Sequence, residues 1–424
     1  MSTNNAATAN RYNFLIVFLV TFGSLTYGYN SAIIGAVLGL NSFFRYFGID
    51  LHGPNAAESS RITGATNGVF AAGGLLGCIL MTWLGDAAGR KVAIQVTSVL
   101  CIIAGIIQAA SVHIAMFLVG RFLMGLGVGM VNVITPLYQS EISPAHLRGR
   151  MVGTHGFILC VGYDLHRLPG EQDDILAREE FYQIRQQLDL ERREGWRQGW
   201  LKGWVLIFKR ESCRKRLLFG FLTLALVQST GCLVINNYQV LLYNGLGLYG
   251  SVPLLLYAVW DSWAAFMNYM NSLWLDKFGR IPTMVVGQIG CAISVAGFTA
   301  CLARYGSTDN KIGNGFDVFF LYLFVTFFGG SMDATSYVYA SELFPTSIRT
   351  QGAGFSISAL FCMSLIYTMC APVAFTTIGW KYYIIFIVLP IFGAAIMYLF
   401  YPETKGLTLE EIGKKFGDGV AIDL

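Results

Sequence analysis

The sequence predicts an all-α integral membrane protein of two helical bundles, with about ten full spans and one partial span. Three observations predict it. Hydrophobic residues make up 54% of the 424 residues and charged residues only 13%, about half the charge of a soluble domain. The apolar residues gather into ten runs long enough to cross a bilayer. Two charged motifs each occur twice, in the same order, once in each half. Together these exclude a soluble enzyme, a nucleic-acid binder and a disulfide-rich secreted module.

Residues Met1 to Asn10 are polar and uncharged, without the basic region or cleavage site of a signal peptide. The first apolar run, 14–39, is therefore expected to be a retained span. Runs at 62–84, 92–112 and 115–138 complete a first group. A second group falls at 217–243, 252–275, 283–303, 317–340, 351–376 and 381–401. A helical span needs about 20 residues, and all ten runs supply them. The run 151–163 reaches only about 20 Å as a helix, short of a bilayer core of about 30 Å.

Residues 164–216 hold 22 of the 54 charged residues and read as a charged helical linker on the membrane face. The expected organisation is an incomplete N-terminal bundle (1–163), this linker (164–216), a C-terminal bundle (217–401) and a tail (402–424). With the N-terminus inside, 23 lysines and arginines fall on the inner side and five on the outer. That bias predicts cytoplasmic termini. The nine cysteines form no C-x-x-C pair and the five histidines are scattered, so no metal site is expected.

The first repeated motif is Asp86-Ala-Ala-Gly89-Arg90-Lys91, matched by Asp276-Lys-Phe-Gly279-Arg280. The second is Ser140-Glu141, Pro144 and Arg148, matched at identical offsets by Ser341-Glu342, Pro345 and Arg349. Two motifs repeated in order indicate a duplicated bundle, the plan of many transporters, whose substrate site lies between the halves. The glycine permits a tight turn and the Asp can cap the next helix. The Glu and Arg residues can pair across the seam as an inner gate. Asp86, Arg90, Glu141, Arg148, Asp276, Arg280, Glu342, Arg349 and Glu403 form the expected gate set.

At these motifs the sequence resembles the sugar porter family of the major facilitator superfamily, in its fungal form. Other resembling strings are Gly28-Tyr29-Asn30, Gly120-Arg121-Phe122 and Pro136-Leu-Tyr138-Gln-Ser140-Glu141. The resemblance continues through Gln228-Ser-Thr-Gly231, Tyr339-Ala-Ser-Glu342-Leu-Phe-Pro345 and Pro402-Glu403-Thr404-Lys405-Gly406. It implies two six-helix bundles rocking around a central site for a sugar or polyol, in a plasma or organelle membrane, with no cofactor.

The chain departs from that pattern at Tyr163-Asp164, where the family has the rest of span five and all of span six. Other departures bear on chemistry. Asn30 stands where proton-coupled members carry an Asp paired to the arginine matching Arg121. Asn cannot titrate, so a facilitator is expected over a proton symporter. Arg121 and Asp333, both within spans, are the proton-coupling candidates. Asp333 reads equally as a hydrogen-bonded structural acid, and Asp261 reads as one first. Leu233 occupies the place of the family's sugar-binding Asn, and Tyr337 that of a Trp. The expected substrate contacts are Asn30, Gln228, Asn236, Asn237 and Tyr337. The expected partners are a sugar or polyol, the lipid bilayer and a proton if coupling occurs, with no nucleic acid. A non-transporting sugar sensor and a truncated, inactive product stand as alternatives.

Overall fold

Lipid offers no partner to a backbone N–H or C=O, so each apolar run has to satisfy its own hydrogen bonds as a helix. The computed structural model describes residues 20–32, 43, 46–47, 56–142, 155, 158, 200–248, 252–305, 311–345, 348–407 and 409–416, and among them all regular structure is helical. The join at Tyr163-Asp164, Arg148 and most of the linker lie outside these residues.

In the first half, α1 covers 20–32, α2 Ala56–Ala87, α3 Arg90–Ala109 and α4 Ile114–Ile142. The second half begins with the short α5, Trp200–Lys209, followed by α6, Glu211–Gln228, and α7, Cys232–Gly245. Then come α8, Val252–Phe278, α9, Arg280–Tyr305, α10, Lys311–Ser331, and α11, Asp333–Glu342. Helix α12 covers Arg349–Thr377, α13 Ile385–Phe400 and α14 Leu409–Lys415.

Eight described segments are long and apolar enough to cross a membrane, two of them formed by the pairs α6–α7 and α10–α11. The more polar α8, 27 residues long, and the first run, of which α1 is the described part, bring the spans to about ten. The sequence places one span in 217–243, and the structure divides it at Ser229–Gly231, where Gly231 is left-handed at φ 86°. The span expected at 317–340 is likewise divided, at Met332. Broken helices at corresponding places in a bundle mark transporter binding sites.

The turn between α2 and α3 and the turn between α8 and α9 each pivot on the motif glycine. Gly89 has φ 82° and Gly279 φ 96°, a region that costs any other L-residue strain. The repeated D-x-x-G-R strings are therefore the same reversal built twice.

Within the first half, α2 packs against α4 so closely that backbones touch. A Cβ on Gly73 or Gly77 would collide with the Phe122 or Leu126 carbonyl oxygen, and one on Gly125 or Gly129 with that of Phe70 or Gly74. Gly73-x-x-x-Gly77 thus faces Gly125-x-x-x-Gly129, the small-residue packing that membrane helices use where no hydrophobic effect drives association.

The halves meet where α2 runs along α12. At one end Gly354 packs on Thr82 and the Cys78 carbonyl, and Gly85 on Thr350. At the other end Gly64 packs on the Met369 carbonyl. Near that end Asn67 Nδ2 donates to Tyr238 Oη at 3.3 Å, and Tyr238 Oη donates to the Thr368 carbonyl at 2.8 Å. The α2–α12 seam is closed at both ends.

Candidate substrate site and gate

Both helix breaks open onto one cavity. Its walls come from Tyr27 on α1, Gln228 at the end of α6, Cys232, Leu233 and Asn236 on α7, and Trp260, Ala264 and Asn268 on α8. Val325, Phe328 and Gly329 of α10, Asp333 and Tyr337 of α11 and Leu360 of α12 complete it. The lining alternates apolar and aromatic faces with a few polar groups, the usual chemistry of a small-molecule site. The space not filled by protein atoms there, its open mouth included, is about 490 Å³. Tyr27 belongs to the first half and the other lining residues to the second, so the cavity lies at the seam.

Asp333 is the first residue of α11, and its Oδ2 accepts from Asn268 Nδ2 at 3.0 Å. Asp333 is the only charged residue among the described residues of the lining. Tyr337, one turn further along α11, joins the halves. Its hydroxyl accepts from Asn132 Nδ2 of α4 at 3.2 Å. Its ring meets the His155 ring edge-on, centroids 4.7 Å apart, and His155 Nδ1 shares a 2.6 Å hydrogen bond with Ser24 of α1. The Gln228 Oε1, Asn132 Oδ1 and His155 Nε2 atoms are buried without a partner among the described residues.

Of the expected substrate contacts, Gln228, Asn236 and Tyr337 line the cavity. Asn30 and Asn237 do not. Asn30 Nδ2 donates to the Thr26 carbonyl at 2.8 Å, and its own carbonyl accepts from Arg121 Nη1 at 3.2 Å. Asn237 sits on another face of α7, half-buried, because one residue turns a helix by about 100°. Arg121 is fully buried with its guanidinium 4.2 Å from the centroid of the Phe70 ring. That is a cation–π contact, apart from the cavity.

Six of the expected gate residues form two copies of one arrangement. Arg90 holds Glu141 through Nη2 at 2.8 Å and Nε at 3.2 Å, and reaches Asp86 at 3.3 Å. Arg280 holds Glu342 at 2.8 and 3.1 Å and Asp276 at 3.1 Å. These bidentate pairs are the strong form of the interaction. They lie within each half, whereas the sequence suggests pairing across the seam. The reason is reach: the motif glycine folds each Arg back onto its own bundle. The seam is crossed instead by Gln351 Nε2, which donates to Asp86 Oδ2 at 3.2 Å.

The expected cap at these turns also differs. Asp86 pairs with Arg90 and makes no cap on α3. In the second half Glu403 caps α9, accepting from the backbone N–H groups of Arg280 and Ile281 at 2.9 Å each. Thr404 donates to Glu342 Oε2 at 2.7 Å. The Pro402-Glu403-Thr404 string thereby locks the tail onto the charge cluster. Arg349 Nε donates to the Phe344 carbonyl at 3.2 Å and faces no carboxylate in that contact.

Asn268, Asn132, His155, Tyr27 and Gln351 are functional candidates that motif reading does not single out. A signal was present for three of them. Asn132 and Asn268 are polar residues inside apolar spans, where such residues serve as interhelical contacts, and Gln351 stands two residues beyond the Arg349 motif.

The sequence model of the "Sugar (and other) transporter" family matches residues 16–165 and 165–416. The match breaks beside the Tyr163-Asp164 join, in agreement with missing text in spans five and six. The MFS-type transporter criB of Aspergillus cristatus is 27% identical over 454 residues, covering 92% of this chain and 90% of its own. The high-affinity glucose transporter of Kluyveromyces lactis is 26% identical, covering 96% and 86%. Among solved structures, the proton:xylose symporter XylE bound to 6-bromo-6-deoxy-D-glucose superposes with a TM-score of 0.77 at 20% identity, over 96% of this chain and 99% of its own. The inward-open form of the xylose transporter XylE from E. coli gives 0.69 at 20% identity, over 95% and 100%. The fold is that of the major facilitator superfamily, and the matched proteins are transporters, not enzymes. The repeated gate, the broken helices and the cavity at the seam agree with that match over nearly the whole chain, which belongs to the sugar (and other) transporter family.

Proposed function

We propose that this protein moves a sugar or polyol across a membrane by alternating access, as a facilitator. The observation that carries this reading is the cavity at the seam, where Gln228, Asn236, Asp333 and Tyr337 face Tyr27 of the other half. Amide and hydroxyl groups on an aromatic wall suit a neutral polyhydroxylated ring, whose faces stack and whose edges hydrogen-bond. Relatives named as glucose transporters favour the same class. Facilitation is favoured because Asn30, whose side chain cannot titrate, stands beside Arg121, whose Nη1 donates to the Asn30 main-chain carbonyl. Asp333 is the competing proton site, since it lines the cavity with an amide partner, Asn268.

The lysine and arginine bias supports cytoplasmic N- and C-termini, and the membrane is taken to be the plasma membrane. Alternating access then requires the α2–α12 seam to open at one end at a time. Uptake of radiolabelled glucose, xylose and sorbitol by hexose-transport-deficient yeast tests the proposal. Saturable uptake insensitive to a protonophore is expected. Absence of uptake across this panel, with the protein at the cell surface, refutes the transport reading. Uptake that a protonophore abolishes, and that Asp333→Asn makes insensitive, moves coupling to Asp333.

A further inference from the structure

The chain enters the second bundle through a basic and apolar corner that the transport reading leaves unused. Helix α5 is anchored on one face: Ile207 is fully buried, and the Trp204 ring meets that of Phe355 at 6.0 Å. Its other face leaves Val205 and Phe208 exposed. Its last residue, Lys209, and Arg210, Arg214 and Lys215 beyond it are all exposed, and Glu211 pairs with Lys215 at 2.9 Å. One turn on, Leu218 is exposed on α6, already part of a spanning helix. The tail adds to the same corner. Phe416 packs on Phe219 at 6.0 Å and lies 4.9 Å from the Arg216 guanidinium. It follows α14, whose Lys414 and Lys415 are exposed.

We propose that this corner binds anionic phospholipid headgroups of the leaflet facing the gate. Exposed apolar side chains beside clustered basic ones, at the end of a spanning helix, match the acyl and headgroup layers of an anionic leaflet in order. An acidic soluble partner would match the charge but not Val205, Phe208 and Leu218, which are continuous with the lipid-facing surface of α6. Each basic residue beside an anionic surface changes binding about fivefold. The exposed guanidinium of Arg214 suits phosphate oxygens through paired N–H groups.

The test uses the full chain purified in detergent. Phosphatidylserine and phosphatidylcholine are titrated separately, with binding followed by native mass spectrometry and by melting temperature. Phosphatidylserine is expected to bind preferentially and raise the melting temperature. The triple variant Lys209→Gln, Arg214→Gln, Lys414→Gln should bind it roughly a hundredfold more weakly, while Lys209→Arg with Arg214→Lys keeps the preference. Raising salt should weaken binding in the unsubstituted chain and have little effect in the triple variant. Equal retention of both lipids overturns the proposal, as does a preference that survives the triple variant. So does an equal shift from free glycerophosphoserine, or binding of polyglutamate in place of phosphatidylserine.

Discussion

Gln351 Nε2 donates to Asp86 Oδ2 at 3.2 Å, so a neutral amide of the second half holds a motif carboxylate of the first. The carboxylate is shared with Arg90, and the amide is the part that can leave without stranding a charge. Gln351→Leu should therefore loosen this end of the seam while leaving both bundles folded. Amide hydrogen exchange at 82–86 and 350–354 should accelerate roughly tenfold, the effect of losing a hydrogen bond of about 1.5 kcal/mol. Unchanged exchange there would show that the bond does not hold the seam.

The two copies of the gate differ in burial, which separates their energetic weight. Arg280 is 2% exposed and Glu342 4%, whereas Arg90 is 22% exposed and Glu141 19%. Removing one member of a buried pair strands the other, at about 3–5 kcal/mol. Glu342→Gln should cost close to that, and Glu141→Gln about 1 kcal/mol. Urea or thermal unfolding in detergent compares them, and equal losses would contradict the ranking.

Glu403 satisfies two of the backbone N–H groups that open α9. Glu403→Ala should cost about 1–2 kcal/mol through loss of the cap and of its charge at the helix start. Glu403→Gln should recover part of that loss. A fall in melting temperature for Ala that Gln does not lessen would argue against capping.

Tyr337→Phe keeps the ring against His155 and removes the hydroxyl that Asn132 donates to. If Tyr337 lines the substrate path, the variant should raise the KM for sugar about threefold to tenfold, the loss of one hydrogen bond of about 1 kcal/mol. Tyr337→Ala should lose more, through the stacking face. Uptake kinetics at matched surface expression would read the difference.

Gly77→Ala and Gly89→Ala make opposite demands. A methyl on Gly77 meets the Leu126 backbone, whereas one on Gly89 meets nothing within 4 Å. The first should block assembly of α2 on α4 and cut folded yield severely. The second carries only the strain of φ 82°, ψ 163°, about 1–3 kcal/mol. Size-exclusion profiles of the two variants should separate them clearly.

Much of this was legible in the sequence because membrane helices announce themselves by composition. The ten runs, the duplicated turn at Gly89 and Gly279 and the gate clusters around Arg90 and Arg280 follow from local patterns. The partners were harder to read. Arg280 and Glu342 are 62 residues apart, and nothing local says whether an Arg crosses the seam or folds back. The helix break at Met332 lies just past Gly329-Gly330, a glycine signal hidden inside an otherwise continuous apolar run. Asn30 and Asn237 look like Asn236 in sequence, and only the direction of each side chain separates them. Glu403 acts on α9, 123 residues earlier, a contact that no periodicity reveals.

The interlocked glycines of α2 and α4 have a consequence for a chain short of two helices in this half. Where Gly77 meets the Leu126 backbone and Gly129 meets Gly74, the two helices move as a single beam. The face of that beam turned to α12 carries Gly64, Gly85 and Asp86. The side of the seam that the first half supplies is thus a braced pair of helices and not a lone one.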